Sequence, residues 1–359
     1  MIPVTKPYLP DREKLDKYLD GIYERQWLTN NGQLVQELTR RLEDYLGVEN
    51  LLLVANGTLA LQIAYRALGV SGNRSVRPPE AITTPFTFIA TASSLKWDGV
   101  EPIFADIDPD SWCLAPENIE AKITANTRAI VPVHVFGNAC DVEAINAIAQ
   151  KHCLKVIYDA SHAFGVTYKG ESLLKHGDAA TLSFHATKLF HTGEGGAIVF
   201  KHKKDLERAK KMINFGITGP ETIEELGVNA KMSELQAAMG LSVLEEISEA
   251  IKGRRRVWKS YEEKIPENIK SQKRNVHSSN NYSYFPILTD AVKAIRILGD
   301  LKENNFLARR YFYPSLDLGG PFFCPSSRKV SSSIVCLPFY HDLSSESVEK
   351  ICKLLKEGS

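Results

Sequence analysis

Paired cysteines, a surplus of charge, long apolar runs and a dinucleotide fingerprint are all missing from this 359-residue sequence. The six cysteines (113, 140, 153, 324, 336 and 352) include no Cys-x-x-Cys and no Cys/His pairing at metal spacing. No metal site is expected, and the thiols read as reduced and mostly buried, as suits a cytoplasmic protein. Lys plus Arg (44) against Asp plus Glu (43) leaves a formal charge of +1, so the chain carries no basic field for nucleic acid or an anionic membrane surface. An anionic small molecule stays possible, because a site needs only a few local donors. The opening MIPVTKPYLPDREK has no apolar run of signal-peptide length, and no later stretch approaches a membrane span. No Gly-x-Gly-x-x-Gly follows the first strand-like run, and GEGG (193–196) precedes a strand rather than opening a helix. This argues against a dinucleotide-dependent oxidoreductase.

What is present is a core and a rhythm. With 43% hydrophobic residues the chain can build a sizeable interior and two domains. DREKLDKYLDGIYER places Leu15, Tyr18, Leu19, Ile22 and Tyr23 on one helical face, with Asp11 as the N-cap. From residue 51 to 200, apolar β-type runs follow one another: LLLV (51–54), AITT (81–84), PIFAD (102–106), AIVPV (129–133), KVIYD (155–159), TLSF (181–184) and AIVF (197–200). Helical patterns at 58–68, 116–123 and 141–152 lie between them. Continuous apolar strands alternating with helices predict an α/β fold with a mostly parallel sheet covered on both faces. A long helix follows at 232–247, with Ser233 and Gln236 spaced for a capping box, then a charged helix at 252–264, a polar loop, a strand, and helices near 290–304 and 345–357. The expected division is a large domain, 1–240, and a smaller C-terminal α+β domain, 241–359.

Within SFHATKLFHTGEGG (183–196), one lysine, Lys188, sits among small, hydroxylated and aromatic residues. Asp159 ends a buried strand and therefore falls at the strand's carboxyl end, where open α/β sheets bind ligands. Ser183 and Lys188 follow a later strand and should reach the same edge. So should Gly57 and Thr58 of VANGTLAL, where a strand hands over to a helix whose N-terminal N–H groups form a phosphate cradle. An anion site, a carboxylate and an amine at one edge are what pyridoxal 5'-phosphate requires. Lys188 must lose its proton to attack an aldehyde, and an apolar setting lowers an ammonium pKa. An ionised Asp159 would keep the pyridine nitrogen protonated, and Phe88 in TPFTFIATA is the candidate to stack on the ring. Singly, a strand-end Asp or an Asn-Gly-Thr is more often a cap or a turn; the order of these residues carries the weight.

The motifs ANGTLAL, TPFTFIATASSL, EPIFADID, VPVHVFG, IYDASHAFG, SFHATK with GEGGA, and LGVNAKMSELQAAMG occur in sequence along nearly the whole chain. In this order they resemble the DegT-type family of sugar-nucleotide aminotransferases, of the fold type I, aspartate-aminotransferase-like class. The resemblance implies that Lys188 is the imine-forming lysine, that Asp159 pairs with the pyridinium, and that Gly57, Thr58 and Ser183 hold the phosphate. It implies that Asn229 reaches the phosphate of a neighbouring subunit's cofactor, so that a homodimer is the minimal unit. Phe88 stands at the ring-stacking position. His162 stands where most members have glutamine, either a hydrogen-bonding substitute or a histidine merely satisfied within the fold. The implied reaction is ping-pong: glutamate gives its amine, and a ketone on a nucleotide-linked deoxysugar receives it. The SFH form of the lysine block resembles members acting at C-4 of 4-keto-6-deoxyhexoses, and a dTDP-linked sugar is the expected substrate; C-3 amination is the alternative. His185, Lys231, Tyr311 and Tyr313 are implied sugar-nucleotide contacts. Lys252, Arg254, Arg255 and Arg256 are weaker candidates for a diphosphate, because a charged helix face is usually just solvated. A sugar dehydratase of the same family would carry histidine where Lys188 stands. A non-catalytic binding protein on this fold would not need Asp159, Lys188 and the phosphate residues intact.

Overall fold

The structure, a computed structural model, describes residues 1–71 and 77–357. Helices α1 (Arg12–Arg25) and α2 (Gln33–Leu46) lead into strand β1 (Leu51–Val54) and helix α3 (Gly57–Ala67). Strand β2 (Glu80–Thr83), helix α4 (Ile89–Trp97) and strands β3 (Glu101–Phe104) and β4 (Thr127–Val131) follow. Helix α5 (Val142–Lys151) returns the chain to β5 (Lys155–Asp159), and a short hairpin, β6 (Thr167–Tyr168) with β7 (Glu171–Ser172), precedes β8 (Ala179–Ser183) and β9 (Gly196–Phe200).

Seven of these strands form one sheet in the order β1-β9-β8-β5-β4-β2-β3. All its pairings from β8 to β3 are parallel, and β9 runs antiparallel to both of its neighbours. The fold is α/β with a mostly parallel central sheet, as the apolar runs predict. The pleat explains why those runs are continuous: Leu51 and Leu53 of β1 enter one core while Leu52 and Val54 enter the other, and Ala197 and Val199 alternate with Ile198 and Phe200 in β9. Helices α2 and α5 cover the first face; α3 and helix α6 (Lys203–Met212) cover the second.

Beyond α6 come the exposed hairpin β10 (Ile217–Gly219) with β11 (Thr222–Ile223), then α7 (Glu234–Glu245) and α8 (Ile247–Lys264). The capping box at α7 is formed, Ser233 and Gln236 each bonding the other's backbone N–H. A second sheet, β12 (Lys270–Ser271), β13 (Pro286–Leu288) and β14 (Ile334–Cys336), is antiparallel. It packs with α8, α9 (Ala291–Glu303) and α11 (Ser345–Glu357) around Tyr261, Phe285, Ile287, Leu301, Val335 and Ile351. Helix α10 (Pro325–Ser333) lies beside this sheet. Leu241, Val243 and Ile247 still belong to the large-sheet core, whereas Val257 and Tyr261 belong to the second. Among the described residues no helix is long and apolar enough to cross a membrane.

Two carboxylates act as helix caps from far away in sequence. The N-cap of α2 is Gly32, which has no side chain to offer, and Glu234 of α7 instead accepts the N–H groups of Leu34 and Val35, both at 2.9 Å. Asp106, after β3, accepts the N–H groups of Ser326 and Ser327 (2.8 Å each) at the start of α10. These bonds tie the sheet edge to the N-terminal and C-terminal segments.

Three local expectations need correction. The 116–123 pattern forms two 3-10 turns, Pro116–Asn118 and Glu120–Lys122, not an α-helix; of its residues only Ile119 is buried, too little apolar anchor to hold a helix. Tyr23 lies on α1 but is 78% exposed, since it sits at the edge of the stripe centred on Leu15, Leu19 and Ile22. Strand β4 stops at Val131, before Pro132, which has no N–H to give a parallel ladder.

Candidate active site

The site forms where β1, β5, β8 and β9 end or begin at one edge of the large sheet. Because β9 is antiparallel, its first residue, Gly196, pairs with both Val54 and Ser183. A Cβ on Gly196 would lie 2.7 Å from the Asn56 carbonyl carbon, so the turn into α3 closes over β9 only because that position is glycine. Asn56 caps α3 by accepting the Leu59 N–H at 2.9 Å. The N–H groups of Gly57 and Thr58 and the hydroxyls of Thr58 and Ser183 make no bond among the described residues. They face a cavity of about 780 Å³ with the positive end of the α3 dipole behind them. A Cβ on Gly57 would approach the Ser183 Cβ to 2.8 Å, so bare backbone is needed here too.

Asp159 sits at the end of β5, 6% exposed, and borders the same cavity. Its Oδ2 accepts the Thr91 hydroxyl at 2.8 Å and its Oδ1 accepts the Ser161 N–H at 3.1 Å, while Thr87 and Thr91 share a hydroxyl contact at 2.8 Å. Both oxygens keep lone pairs for a cationic partner. Lys188 lies on the wall, in a turn closed by its own N–H on the His185 carbonyl (2.9 Å). Its ammonium has no hydrogen bond or ion pair among the described residues. Burial pushes its pKa down to about 8, against the opposing pull of the Asp159 charge. An amine with that pKa is substantially neutral near pH 8 and able to act as a nucleophile.

His162 is buried and its Nδ1 accepts the Phe136 N–H at 3.1 Å, which leaves the proton on Nε2. Burial, followed by the Lys188 charge, holds it well below the usual histidine range, so it is a neutral donor. Its ring stacks with Phe136 and Phe312 (centroids 5.9 and 5.8 Å) and its carbonyl accepts bonds from Asn281 and Ser283. Phe88, at the start of α4, is 58% exposed with its ring on the cavity and no aromatic partner among the described residues. His185 Nδ1 meets the Thr187 hydroxyl (2.8 Å) and backbone N–H (3.2 Å), and its Nε2 lies 3.7 Å from Glu194.

Gly57, Thr58, Phe88, Asp159, His162, Ser183, His185, Lys188 and Tyr311 thus share one cavity. Tyr313 lies outside it, because a turn (Tyr313 N–H to the Arg310 carbonyl) carries the chain away and Arg310 covers its ring at 3.6 Å. Lys231 also lies outside; its Nζ bonds Asn214 and Asn229, both at 2.8 Å, and it borders a separate cavity of about 510 Å³. Asn229 is exposed and away from this chain's own cavity. Of the α8 cations, Lys252 pairs with Glu249 and Arg254 is buried against the Tyr282 and Ser283 carbonyls. Arg255 is exposed, Arg256 reaches the His341 carbonyl, and none of the four borders the site. The sequence reading missed Thr87, Thr91, Tyr284 and Arg309. The Thr87/Thr91 spacing in TPFTFIATA, one helical turn apart, was the available signal for the first two.

The chain matches known proteins over nearly its full length. Residues 10–356 match the model of the DegT/DnrJ/EryC1/StrS aminotransferase family. The chain is 43% identical to a dTDP-4-amino-4,6-dideoxy-D-glucose transaminase of Shigella dysenteriae, over 99% of this chain and 98% of that protein. It is 38% identical to a transaminase of the same name from Escherichia coli, with the same coverage. Among solved structures, DesI in the presence of its TDP-sugar product superposes with a TM-score of 0.92 at 32% identity, covering 99% of this chain and 92% of that one.

Proposed function

The chain belongs to the DegT/DnrJ/EryC1/StrS aminotransferase family, and from that premise we propose that it uses pyridoxal 5'-phosphate to move the amino group of glutamate to C-4 of dTDP-4-keto-6-deoxyglucose, giving a dTDP-4-amino-4,6-dideoxyhexose. One observation carries the reading: an ammonium without a partner, a carboxylate with free lone pairs and two unbonded helix N–H groups border a single cavity. That set fits the cofactor, and the names of the two transaminase relatives support the sugar.

When bound, the cofactor supplies an aldehyde that condenses with amines and a ring that accepts the electron pair released at the substrate carbon. The N–H groups of Gly57 and Thr58 and the Ser183 hydroxyl hold its phosphate. Asp159, oriented by Thr91 and Ser161, holds the ring nitrogen in its protonated form. Phe88 would stack against the ring, and neutral His162 would offer it the Nε2 proton. Lys188 Nζ takes the α-proton of glutamate in one half of the cycle and delivers a proton to the former keto carbon of the sugar in the other. Tyr284 and Phe312 close the cavity against water on the side of the second sheet.

The same reading makes the enzyme a cytoplasmic homodimer. Phe215, Ile217, Ile223, Leu226 and Val228 form an exposed apolar stretch beside Asn229. A second subunit covers it, and Asn229, its carbonyl fixed by Lys231, turns its amide N–H groups to that subunit's phosphate.

The test is to incubate the purified protein with glutamate and dTDP-4-keto-6-deoxyglucose and locate the new amine by mass and NMR. A 4-amino sugar is expected. An amine at C-3 of an isomeric 3-keto sugar, with the 4-keto sugar untouched, would replace the C-4 assignment.

A further inference from the structure

The capping box of α7 asks only for an acceptor on Gln236, and Oε1 supplies it, taking the Ser233 N–H at 2.9 Å and the Ser233 hydroxyl at 3.1 Å. A glutamate would close the same box, and the helix dipole favours a carboxylate in the first turn. The amide Nε2 is therefore surplus to the cap. It donates instead to the Glu194 carbonyl at 2.7 Å and, by a longer bond, to the Ala55 carbonyl at 3.3 Å. These partners fix which end of the amide is which, because only Nε2 can face two carbonyls and only Oε1 can face an N–H.

The two carbonyls belong to the turns on either side of the unbonded N–H groups. Ala55 leads into Asn56, the N-cap of α3, and then Gly57 and Thr58. Glu194 leads into Gly195, whose carbonyl accepts the Phe184 N–H at 2.8 Å beside Ser183, and into Gly196, which pairs with Ser183 and packs against Asn56. We propose that Gln236 is a positioning residue for the cofactor's phosphate, its side-chain NH2 bolting the α3 turn to the β9 turn; this rests on the pyridoxal phosphate reading of the cavity. Helix N–H groups and a hydroxyl grip a phosphate only when they are held at the spacing of its oxygens, and a cradle held in advance loses less on binding. The turns sit on different elements, so the bolt comes from a third, α7. A neutral amide suits the place, since a glutamate would set an anion against two carbonyl oxygens in turns that must receive another anion.

Three variants separate this role from capping. Gln236→Glu keeps an acceptor for the Ser233 N–H and loses the donor; Gln236→Met loses both without adding charge; Ser233→Ala breaks the box and leaves the Nε2 bonds. Each cofactor-free protein is titrated with pyridoxal phosphate and with pyridoxal, which offers the same aldehyde and ring without the phosphate, and binding is followed by absorption. Both Gln236 variants should weaken pyridoxal phosphate binding on the order of 10-fold and change pyridoxal binding less than about 2-fold. Ser233→Ala should lower the melting temperature and keep pyridoxal phosphate binding within about 2-fold of wild type. Unchanged pyridoxal phosphate affinity in the Gln236 variants, an equal loss for both compounds, or the same loss in Ser233→Ala overturns the proposal and leaves Gln236 a helix cap. A wild-type protein that binds pyridoxal as tightly as pyridoxal phosphate overturns the phosphate reading of the cavity instead, an outcome distinct from a defect seen only in the variants.

Discussion

Thr91 on α4 donates its hydroxyl to Asp159 Oδ2 at 2.8 Å, joining a helix after β2 to the end of β5 across 68 residues of sequence. The bond fixes the carboxylate that, in the proposed function, faces the cofactor's ring nitrogen. A hydrogen bond to a charged group is worth about 1.5–3 kcal/mol. Thr91→Val should therefore lower kcat by roughly 10-fold or more with the fold intact, and Asp159→Asn, which removes the anion itself, by about 100-fold or more. Steady-state kinetics check both; equal rates for wild type and Asp159→Asn would remove Asp159 from the mechanism.

The lowered pKa of Lys188 makes a stability prediction for the cofactor-free protein. Its folded value, about 8, lies below the usual 10.5, so the unfolded chain binds the extra proton more readily. The resulting destabilisation is full below about pH 8 and disappears as pH rises toward 10.5. Lys188→Met should thus raise stability at pH 7 by about 1–3 kcal/mol, with the gain shrinking above pH 8. Urea unfolding at several pH values measures it; a gain that grows with pH would contradict the assignment.

Gly57→Ala places a methyl group 2.8 Å from the Ser183 Cβ, at the helix N-terminus proposed to hold the phosphate. Cofactor affinity should fall at least about 10-fold, and the same clash should cost the cofactor-free protein on the order of 1–3 kcal/mol of stability. Titration with pyridoxal phosphate, followed by absorption, reads the affinity directly. Unaltered binding would move the phosphate away from α3.

Glu234→Ala leaves the Leu34 and Val35 N–H groups buried and unbonded. The expected loss is about 2–3 kcal/mol of folding stability, measurable by chemical denaturation. Glu234→Gln should recover part of it, because one amide oxygen can still accept.

The strands and the core of the site were legible in the sequence because their signals are local. Asp159 and Ser183 close apolar runs, and a residue at a strand's carboxyl end has little choice of where to face. Strand starts were less legible: β2 and β3 begin at Glu80 and Glu101, which pair with each other at the sheet edge, and no apolar pattern announces a glutamate. Helix α4 lacks an apolar stripe, since its buried residues, Thr91, Ala92, Ser94 and Leu95, share one face but half of them are polar. Thr91 therefore stayed hidden although it holds Asp159. Helix α2 carries Leu34, Val35, Leu38, Leu42 and Leu46 at helical spacing, a readable stripe that the sequence reading passed over. Tyr311 and Tyr313 look alike on paper; the turn between Arg310 and Tyr313 separates them, and only the folded chain displays it. Arg309 stands two residues before Tyr311, but its place on the cavity wall is a three-dimensional fact.

The most direct test of the account is the absorption spectrum of the purified, cofactor-loaded protein before and after glutamate, with Lys188→Ala alongside. The account predicts a yellow wild-type protein that bleaches on adding glutamate and releases one equivalent of 2-oxoglutarate, and a variant that is soluble and lacks both the band and turnover. A wild-type protein that stays colourless in excess pyridoxal phosphate, or a Lys188→Ala variant with full activity, would contradict it.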